Sequence, residues 1–280
     1  MNADDRDFDD SVDLDAYLGR VGYDGPREPT PGVLRALVER HMAAIPFEAI
    51  DVLLGRGVDL TPAAVDRKLI DGRRGGYCFE HASLMRRVLR AIGFPVSQYL
   101  ARVRVRDSPG SPSPPATHAA LKVQAGGRPW LVDVGFGGFM PNEPLAWEPG
   151  AAQETKFGAY RLVETPDGLL LQSLHQEAWA PLYDILDFRW RGIDFKVANH
   201  YTATYPDSHF RHGLMAARTE SWGRTTLAGN LFRRVALDGA REERSLDAEG
   251  LAEALASAFG LPVADDWRPM LARVAEDRGG

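Results

Sequence analysis

The sequence predicts an α+β protein in which helices come first, antiparallel strands follow and a smaller mixed segment ends the chain. Apolar residues recur at helical spacing up to about residue 95, and from residue 96 they alternate with polar ones, as in half-buried strands. No segment repeats and no linker stands out. We therefore expect a helical lobe at 1–95, an antiparallel β lobe at 96–200 and a C-terminal α/β lobe at 201–280.

The helical lobe is predicted to follow an acidic tail. Seven of the first fifteen residues are Asp, so we expect the first dozen residues to fray. Thr30-Pro31 and Thr61-Pro62 each match an N-cap followed by proline in the first helical position. A further helix is predicted to begin at Cys78 and to end at Gly93, because glycine commonly terminates helices.

Two hairpins organise the predicted β lobe. The first joins 118–124 to 128–134 through Ala-Gly-Gly, and the second joins 160–164 to 169–174 through Thr-Pro-Asp-Gly. Residues 108–116 are rich in Pro and Ser and predict a loop. In the C-terminal lobe, Ser245 is predicted to cap a helix that runs to Gly260.

Composition excludes several classes of protein. The chain has 280 residues, 44% of them hydrophobic, which is enough for a substantial core. No apolar run approaches the ~20 residues that span a bilayer, and no secretory signal opens the sequence, so we expect a cytoplasmic protein without a membrane partner. A net charge of −6 without a basic block argues against nucleic acid. One cysteine excludes an internal disulfide and a cysteine-built zinc site.

That single cysteine, Cys78, lies in the segment GRRGGYCFEHASL. Gly75-Gly76 allows a sharp turn or a close backbone approach. A helix N-terminus stabilises a thiolate and lowers its pKa, particularly beside a histidinium ion. The segment therefore favours a nucleophile, although a lone cysteine is also often just a small buried hydrophobic residue.

A thiol nucleophile needs a base and a group that orients the base. His118 begins one strand of the first hairpin, and Asp133 lies near the end of the other. A turn centred on Ala125-Gly126 places them directly opposite, and a turn centred on Gly126-Gly127 places His118 opposite Gly135. In both registers the two side chains share a face, because strand side chains alternate. A solvated histidine and a turn-proximal charge remain the alternative.

The other six histidines fit a catalytic role less well. His41 is expected at the surface or the edge of the core. His81 lies one helical turn after Cys78 and is placed to touch the thiol. His209 and His212 have the spacing of a metal-binding pair but no supporting carboxylates, and no metal is expected. The turn GFGG at 135–138 offers backbone N–H groups to an anion or a cofactor amide, but it matches neither a dinucleotide fingerprint nor a phosphate-binding P-loop.

These segments together resemble the arylamine N-acetyltransferase family. The matching stretches are IPFEAIDVLLG (45–55), RRGGYCFEHASL (73–84), THAALKV (117–123), WLVDVGFGG (130–138) and HYTATYPDSHFRHGLMAA (200–217). The stretches around the cysteine and around VDVGFG are the most specific. Ala49-Ile50 and His81-Ala82 depart from the usual family residues, which leaves the acceptor preference open.

The resemblance implies a fold and a chemistry. It implies a helical bundle, a β-barrel-like lobe and an α/β lid around a cysteine-protease-like triad of Cys78, His118 and Asp133. Acetyl-coenzyme A is the implied donor and an arylamine or hydrazine the implied acceptor, in a ping-pong reaction. It further implies a set of binding residues and one ion pair. These are coenzyme A contacts near Gly137, Gly138, Phe210 and Gly213, acceptor contacts from Phe47, Tyr77, Phe136 and Phe210, and a pair between Glu48 and Arg74.

Three alternatives share parts of this pattern. An amide synthase of the same fold would use the same triad to close a polyketide macrolactam, and a polyketide gene cluster beside the gene would favour it. A transglutaminase-like cysteine hydrolase would use the same order of Cys, His and Asp without coenzyme A. A binding module would keep the fold with an unreactive Cys78. Oligomeric state, physiological acceptor and choice of acyl donor are not encoded in any motif.

Overall fold

The computed structural model describes residues 8–105 and 112–276 and confirms the predicted α+β class. The helices are α1 Leu14–Val21, α2 Pro31–Ala44, α3 Ile50–Leu53, α4 Pro62–Asp66, α5 Cys78–Ile92, α6 Gly192–Thr204, α7 Ala248–Ser257 and α8 Arg268–Glu276. A π-helical turn, Arg67–Asp71, continues α4, and short 3₁₀ turns occupy Gly137–Phe139, His209–Arg211 and Asp265–Trp267. Two predicted helix boundaries are confirmed. Thr30 caps the start of α2 by accepting from the Val33 amide, and Gly93 ends α5 in the left-handed conformation.

The strands form two antiparallel sheets. They are β1 Phe47–Glu48, β2 Val96–Val103, β3 Ala116–Ala125, β4 Arg128–Val132, β5 Leu145–Ala146, β6 Gln153–Thr155, β7 Gly158–Thr165, β8 Gly168–His175, β9 Ala178–Leu186, β10 Met215–Glu220, β11 Gly223–Ala228, β12 Leu231–Ala236 and β13 Arg241–Ser245. The larger sheet has the order β5-β4-β3-β2-β9-β8-β7-β6, and the smaller has the order β1-β10-β11-β12-β13.

The larger sheet nearly closes into a barrel. Its edge strands, β5 and β6, are bridged by the side-chain amide of Gln153, which donates to the Ala146 carbonyl at 2.9 Å and accepts from the Ala146 amide at 2.6 Å. Bonding the two edges through one side chain satisfies polar groups that an open edge would expose. The barrel-like lobe implied by the resemblance is therefore present.

Helix α5 lies between the other helices and the barrel. Twelve of its residues are buried, and its apolar side chains share one core with β2 and β3. The charges that it buries are paired, as in the Arg87–Asp66 ion pair at 2.6 Å. A second core joins α7 and α8 to β10–β12 and to Ile50 and Leu53 of α3. The boundaries at residues 95 and 200 stay a prediction.

Two sequence expectations need correction. Ser245 is the last residue of β13, and Asp247 caps α7 instead by accepting from the Gly250 amide at 2.8 Å. The acidic tail is anchored from residue 8 onward, because Phe8 packs against Phe195 and Asp10 pairs with arginines of α5. Residues 1–7, and positions 108–111 of the predicted Pro-rich loop, lie outside the described residues. None of the described helices is long and apolar enough to cross a bilayer.

Candidate active site

Cys78 is the first residue of α5 and is 3% exposed. The Glu80 carboxylate accepts from the Tyr77 amide at 3.0 Å and so caps the first turn of the helix. Glycine at position 75 lets two backbone segments approach closely, since a Cβ on Gly75 would lie 2.1 Å from the Pro46 carbonyl oxygen. This contact seats the start of α5 against the segment that leads into β1.

His118 and Asp133 meet as the sequence predicts. The Nε2 atom of His118 lies 2.7 Å from Asp133 Oδ2, and both side chains are almost fully buried. The hairpin turns at Gly126-Gly127, where both residues have positive φ, so the second of the two predicted registers is the observed one. A carboxylate only accepts, so Nε2 carries the proton and Nδ1 is left to accept one.

The second oxygen of Asp133 is also used. Asp133 Oδ1 accepts from the Gly135 amide at 3.0 Å, which fixes the carboxylate between the imidazole and the following turn. Gly135 in turn lies directly against Cys78, since a Cβ there would be 2.8 Å from Cys78 Cα. The turn after β4 therefore links the carboxylate to the start of α5.

Two backbone groups of strand β3, one on each side of His118 in the chain, contact the Cys78 sulfur. The Cys78 sulfur donates to the Thr117 carbonyl at 3.7 Å, and the Ala119 amide also bonds it. Thr117 and Ala119 are the chain neighbours of His118. The structure thus brings Cys78, His118 and Asp133 together at one end of the barrel.

The electrostatics of Cys78 differ from the sequence expectation. Burial, and then the Asp133 carboxylate, raise the pKa of the Cys78 thiol, whereas the backbone amides of Ala119 and Phe79 lower it. The helix start does act on the sulfur, but burial outweighs it. An isolated thiolate is therefore disfavoured here, and ionisation of the thiol has to be coupled to proton uptake by a neighbouring base, for which His118 is placed.

Aromatic side chains enclose the imidazole. The rings of Phe136 and Tyr183 lie 4.7 and 4.8 Å from that of His118, and they lie 4.8 Å from each other. Burial and the adjacent Asp133 raise the pKa of the Tyr183 phenol. Sequence reasoning missed Tyr183, because only the pairing of β2 with β9 places it on this face.

The glycine turn at 135–138 packs against the smaller sheet. Gly137 has φ +71°, and a Cβ there would contact Phe47 and Ala217 at 3.8 Å. A Cβ on Gly138 would lie 2.6 Å from the Thr226 side chain. The turn thus requires glycine for conformation at one position and for space at the next. Coenzyme A contacts at Gly137 and Gly138 stay a prediction.

The remaining predicted binding residues fall into two groups. Phe47, Phe136 and Phe210 are half-buried, and Phe47 and Phe210 lie 6.1 Å apart beside the turn. Tyr77, by contrast, is fully buried, and its hydroxyl bonds the Asn199 side chain. The Tyr77 ring also lies 5.8 Å from that of Phe210, and its role towards an acceptor stays a prediction.

Gly213 and the late histidines lie after α6. The Gly213 amide donates to the His209 carbonyl at 3.2 Å, within the chain itself. His209 stacks on Phe210, and His212 bonds the Pro206 carbonyl. Within residues 8–105 and 112–276, no three His, Cys, Asp or Glu side chains come together as metal ligands. A coenzyme A contact at Gly213 stays a prediction.

Glu48 and Arg74 form the predicted ion pair, at 2.6 Å, with Glu48 fully buried. The pair belongs to a larger network that sequence reasoning missed, in which Asp51 bridges Arg74 and Lys68, and Lys68 bonds Glu80 at 2.8 Å. Because Glu80 caps α5, this network ends at the helix turn that carries Cys78.

His41 and His81 form a buried chain that reaches α5 one turn after Cys78. His81 Nε2 lies 3.3 Å from the Pro46 carbonyl, His41 Nε2 lies 2.7 Å from His81 Nδ1, and the Tyr17 hydroxyl lies 3.0 Å from His41 Nδ1. The carbonyl can only accept, so His81 Nε2 carries a proton. Burial lowers the pKa of both histidines, so each is neutral, His41 Nε2 donates to His81 Nδ1, and Tyr17 donates to His41 Nδ1. The expectation of a surface or core-edge His41 is wrong, since it is 0% exposed.

Comparisons with known proteins agree with this geometry. A family model described as N-acetyltransferase matches residues 32–268. The arylamine N-acetyltransferase of Mycobacterium tuberculosis is 42% identical over 258 residues, which cover 91% of each chain. A Salmonella typhimurium protein named arylamine N-acetyltransferase / N-hydroxyarylamine O-acetyltransferase is 39% identical over 254 residues, 90% of each chain. The structure of Mycobacterium marinum arylamine N-acetyltransferase in complex with CoA superposes with a TM-score of 0.89 at 40% identity, over 95% of this chain and 99% of that one. The chain therefore belongs to the arylamine N-acetyltransferase family and is an acyltransferase.

Proposed function

We propose that the protein transfers an acetyl group from acetyl-coenzyme A to an arylamine or hydrazine through an acetyl-Cys78 intermediate. The observation that carries the proposal is the hydrogen bond from His118 Nε2 to Asp133, at 2.7 Å, beside the strand residues that contact the Cys78 sulfur. This bond leaves His118 Nδ1 as the ring nitrogen that can accept the Cys78 proton. The CoA complex of the M. marinum relative supports the choice of donor.

The first half-reaction loads the enzyme. The thiol proton moves to His118 as the sulfur attacks the thioester carbonyl, so the charge that burial disfavours on sulfur passes at once to the substrate oxygen. The Cys78 amide, at the open first turn of α5, is the donor proposed for that oxyanion. The C–S bond to coenzyme A then breaks, and His118 returns the proton to the departing thiolate.

The second half-reaction unloads it. An acceptor nitrogen attacks the acetyl-Cys78 carbonyl, and His118 takes a proton from that nitrogen. The C–S bond to Cys78 then breaks, and His118 returns the proton to the departing sulfur, which restores the thiol. A weakly basic arylamine or hydrazine suits this step, because its lone pair is free at neutral pH. We assign acceptor contacts to Phe47 and Phe136, and contacts with coenzyme A to Gly137, Gly138, Phe210 and Gly213.

Mass spectrometry of the intact protein tests the scheme. The protein is mixed with acetyl-coenzyme A without acceptor, and peptide mapping then locates any acetyl adduct. We expect one acetyl adduct, confined to Cys78, which an aminobenzoate discharges. The Cys78→Ser variant is the control for site. No adduct on a thiol that iodoacetamide still alkylates would contradict the proposal and favour transfer from a carrier-bound acyl chain, as in an amide synthase.

A further inference from the structure

A second concave surface lies on the barrel. It is a cleft of about 780 Å³, within the range of small-molecule pockets. One wall is formed by Tyr99, Lys122 and Trp147, and the other includes Asp187, Phe188 and Trp190. Among the described residues, the lining includes no member of the triad.

The position of the cleft follows from the register of β3. His118 and Lys122 are four residues apart on that strand, so their side chains point to the same face. At about 3.3 Å per residue they are separated by about 13 Å along the strand. Tyr99, directly opposite Ala120, belongs to this face as well. The cleft is therefore on the sheet face that carries the catalytic imidazole, but at a distance from it.

The walls of the cleft are aromatic. The rings of Tyr99 and Trp147 lie 5.2 Å apart, and those of Phe188 and Trp190 lie 5.1 Å apart. Phe188 is 65% exposed, so its ring is open to a ligand in the cleft. The Lys122 ammonium lies 4.9 Å from the centre of the Trp147 ring, so the face of this ring already accepts a cation.

The charges of the cleft favour a cation as ligand. Its lining holds three carboxylates, Glu164, Asp167 and Asp187, against the two cations Arg102 and Lys122. Arg102 donates to the Pro114 carbonyl. Asp187 interacts electrostatically with the Tyr99 hydroxyl, so this carboxylate acts on the aromatic wall. Aromatic faces beside carboxylates are the chemistry that recognises organic ammonium ions.

We propose that this cleft is a second ligand site, separate from the reaction centre, which binds an organic ammonium ion. Trp147 and Tyr99 provide the aromatic wall, and Asp187 provides the counter-charge. Phe188 and Trp190 cover the apolar part of the ligand.

The test uses the full-length protein and two probes of equal shape. Choline and 3,3-dimethylbutan-1-ol differ in replacing a charged nitrogen by carbon. We expect choline to shift the indole N–H signals of Trp147 and Trp190 saturably in NMR spectra, and the neutral alcohol to bind at least about threefold more weakly. Asp187→Asn should weaken choline binding about threefold to tenfold, and Glu154→Gln, an exposed carboxylate of β6 outside the cleft, should not change it.

Three binding results would overturn the proposal. They are no saturable shift, equal binding of the two probes, or a choline affinity that Asp187→Asn leaves unchanged. Competition with acetyl-coenzyme A for loading of Cys78 would also overturn it, because the cleft would then be part of the reaction centre. Circular dichroism of the two variants checks that each is folded.

Discussion

His118 and the pair His41–His81 lie on different sides of the same helix start, and all three side chains are almost fully buried. Their partners differ. His118 bonds a carboxylate, whereas the His41–His81 chain begins at a phenol and ends at a backbone carbonyl. Burial lowers the pKa of both His41 and His81. His81 and Arg20 add to this effect at His41, whereas the Pro46 and Gly76 backbone oppose it at His81, whose pKa falls to about 4. Because burial is common to all three, the comparison teaches that the hydrogen-bond partner separates a candidate base from a buried structural histidine.

The largest expected effect separates these two sites by the same substitution. His118→Gln should lower the rate of Cys78 acetylation by about 10²- to 10⁴-fold, because it removes the proposed general base. His81→Gln should keep the rate within about tenfold at a temperature where the variant is folded, since His81 contributes packing and hydrogen bonds. Rapid-quench mass spectrometry measures both rates. An equal loss in the two variants would refute the distinction.

A smaller effect is expected at Gly135, which lies between the two sites. A Cβ there would lie 2.8 Å from Cys78 Cα and 3.1 Å from His81 Cβ. Backbone has to move to admit it, so Gly135→Ala should lower the free energy of unfolding by about 1–3 kcal/mol and slow acetylation.

The matched control for Gly135 is Gly19→Ala in α1. No atom lies within 4 Å of a Cβ placed there. Alanine should stabilise this helix by about 0.5–1 kcal/mol, the opposite sign. Urea unfolding compares the two variants. A neutral Gly135→Ala would mean that the close approach of this turn to α5 is not required.

The sequence predicts the catalytic half of this comparison far better than the buried chain behind it. The His118–Asp133 pair lies within one hairpin, so alternation and a short turn suffice to place both residues on one face. The start of α5 can also be predicted from nearby residues, because Gly75-Gly76 directly precede the helix that carries Cys78. His41 and His81 are 40 residues apart and lie on two different helices, so no local sequence pattern predicts their contact. For the same reason Tyr183 and the two-residue strand β1 were not foreseen.

Ser245 and Asp10 show how tertiary contacts override plausible local signals. Ser245 is a good capping residue, but its pairing with Leu231 keeps it in β13, and Asp247 is free to cap two residues later. Asp10 belongs to a polar tail typical of disorder, but Arg86 and Arg90 of α5 give it partners. In both cases the decisive neighbour is distant in sequence.

The most gradual expected effect is the pH dependence of stability that the buried chain imposes. The folded pKa of His81, about 4, lies below the unfolded value of 6.5, and that of His41 is also lowered. Between these values the unfolded chain binds more protons than the folded one, so stability is fully present above pH 6.5 and is lost as pH falls towards 4. Each histidine contributes a slope of up to about 1.4 kcal/mol per pH unit in that window.

His41→Gln isolates this contribution. Glutamine keeps a donor towards His81 and an acceptor for Tyr17, so the chain of hydrogen bonds can persist without the titrating ring. We expect the free energy of unfolding to fall less steeply from pH 6.5 to 4.5 in this variant than in the wild type. The difference in slope should equal the contribution of one histidine, up to about 1.4 kcal/mol per pH unit. His200→Gln, at an exposed position of α6, should leave the slope unchanged. Carboxylates titrate alike in all three proteins, so the difference in slope reports the histidine alone. Equal slopes for His41→Gln and the wild type would mean that His41 is already charged in the folded protein, and the contrast with His118 would lose its physical basis.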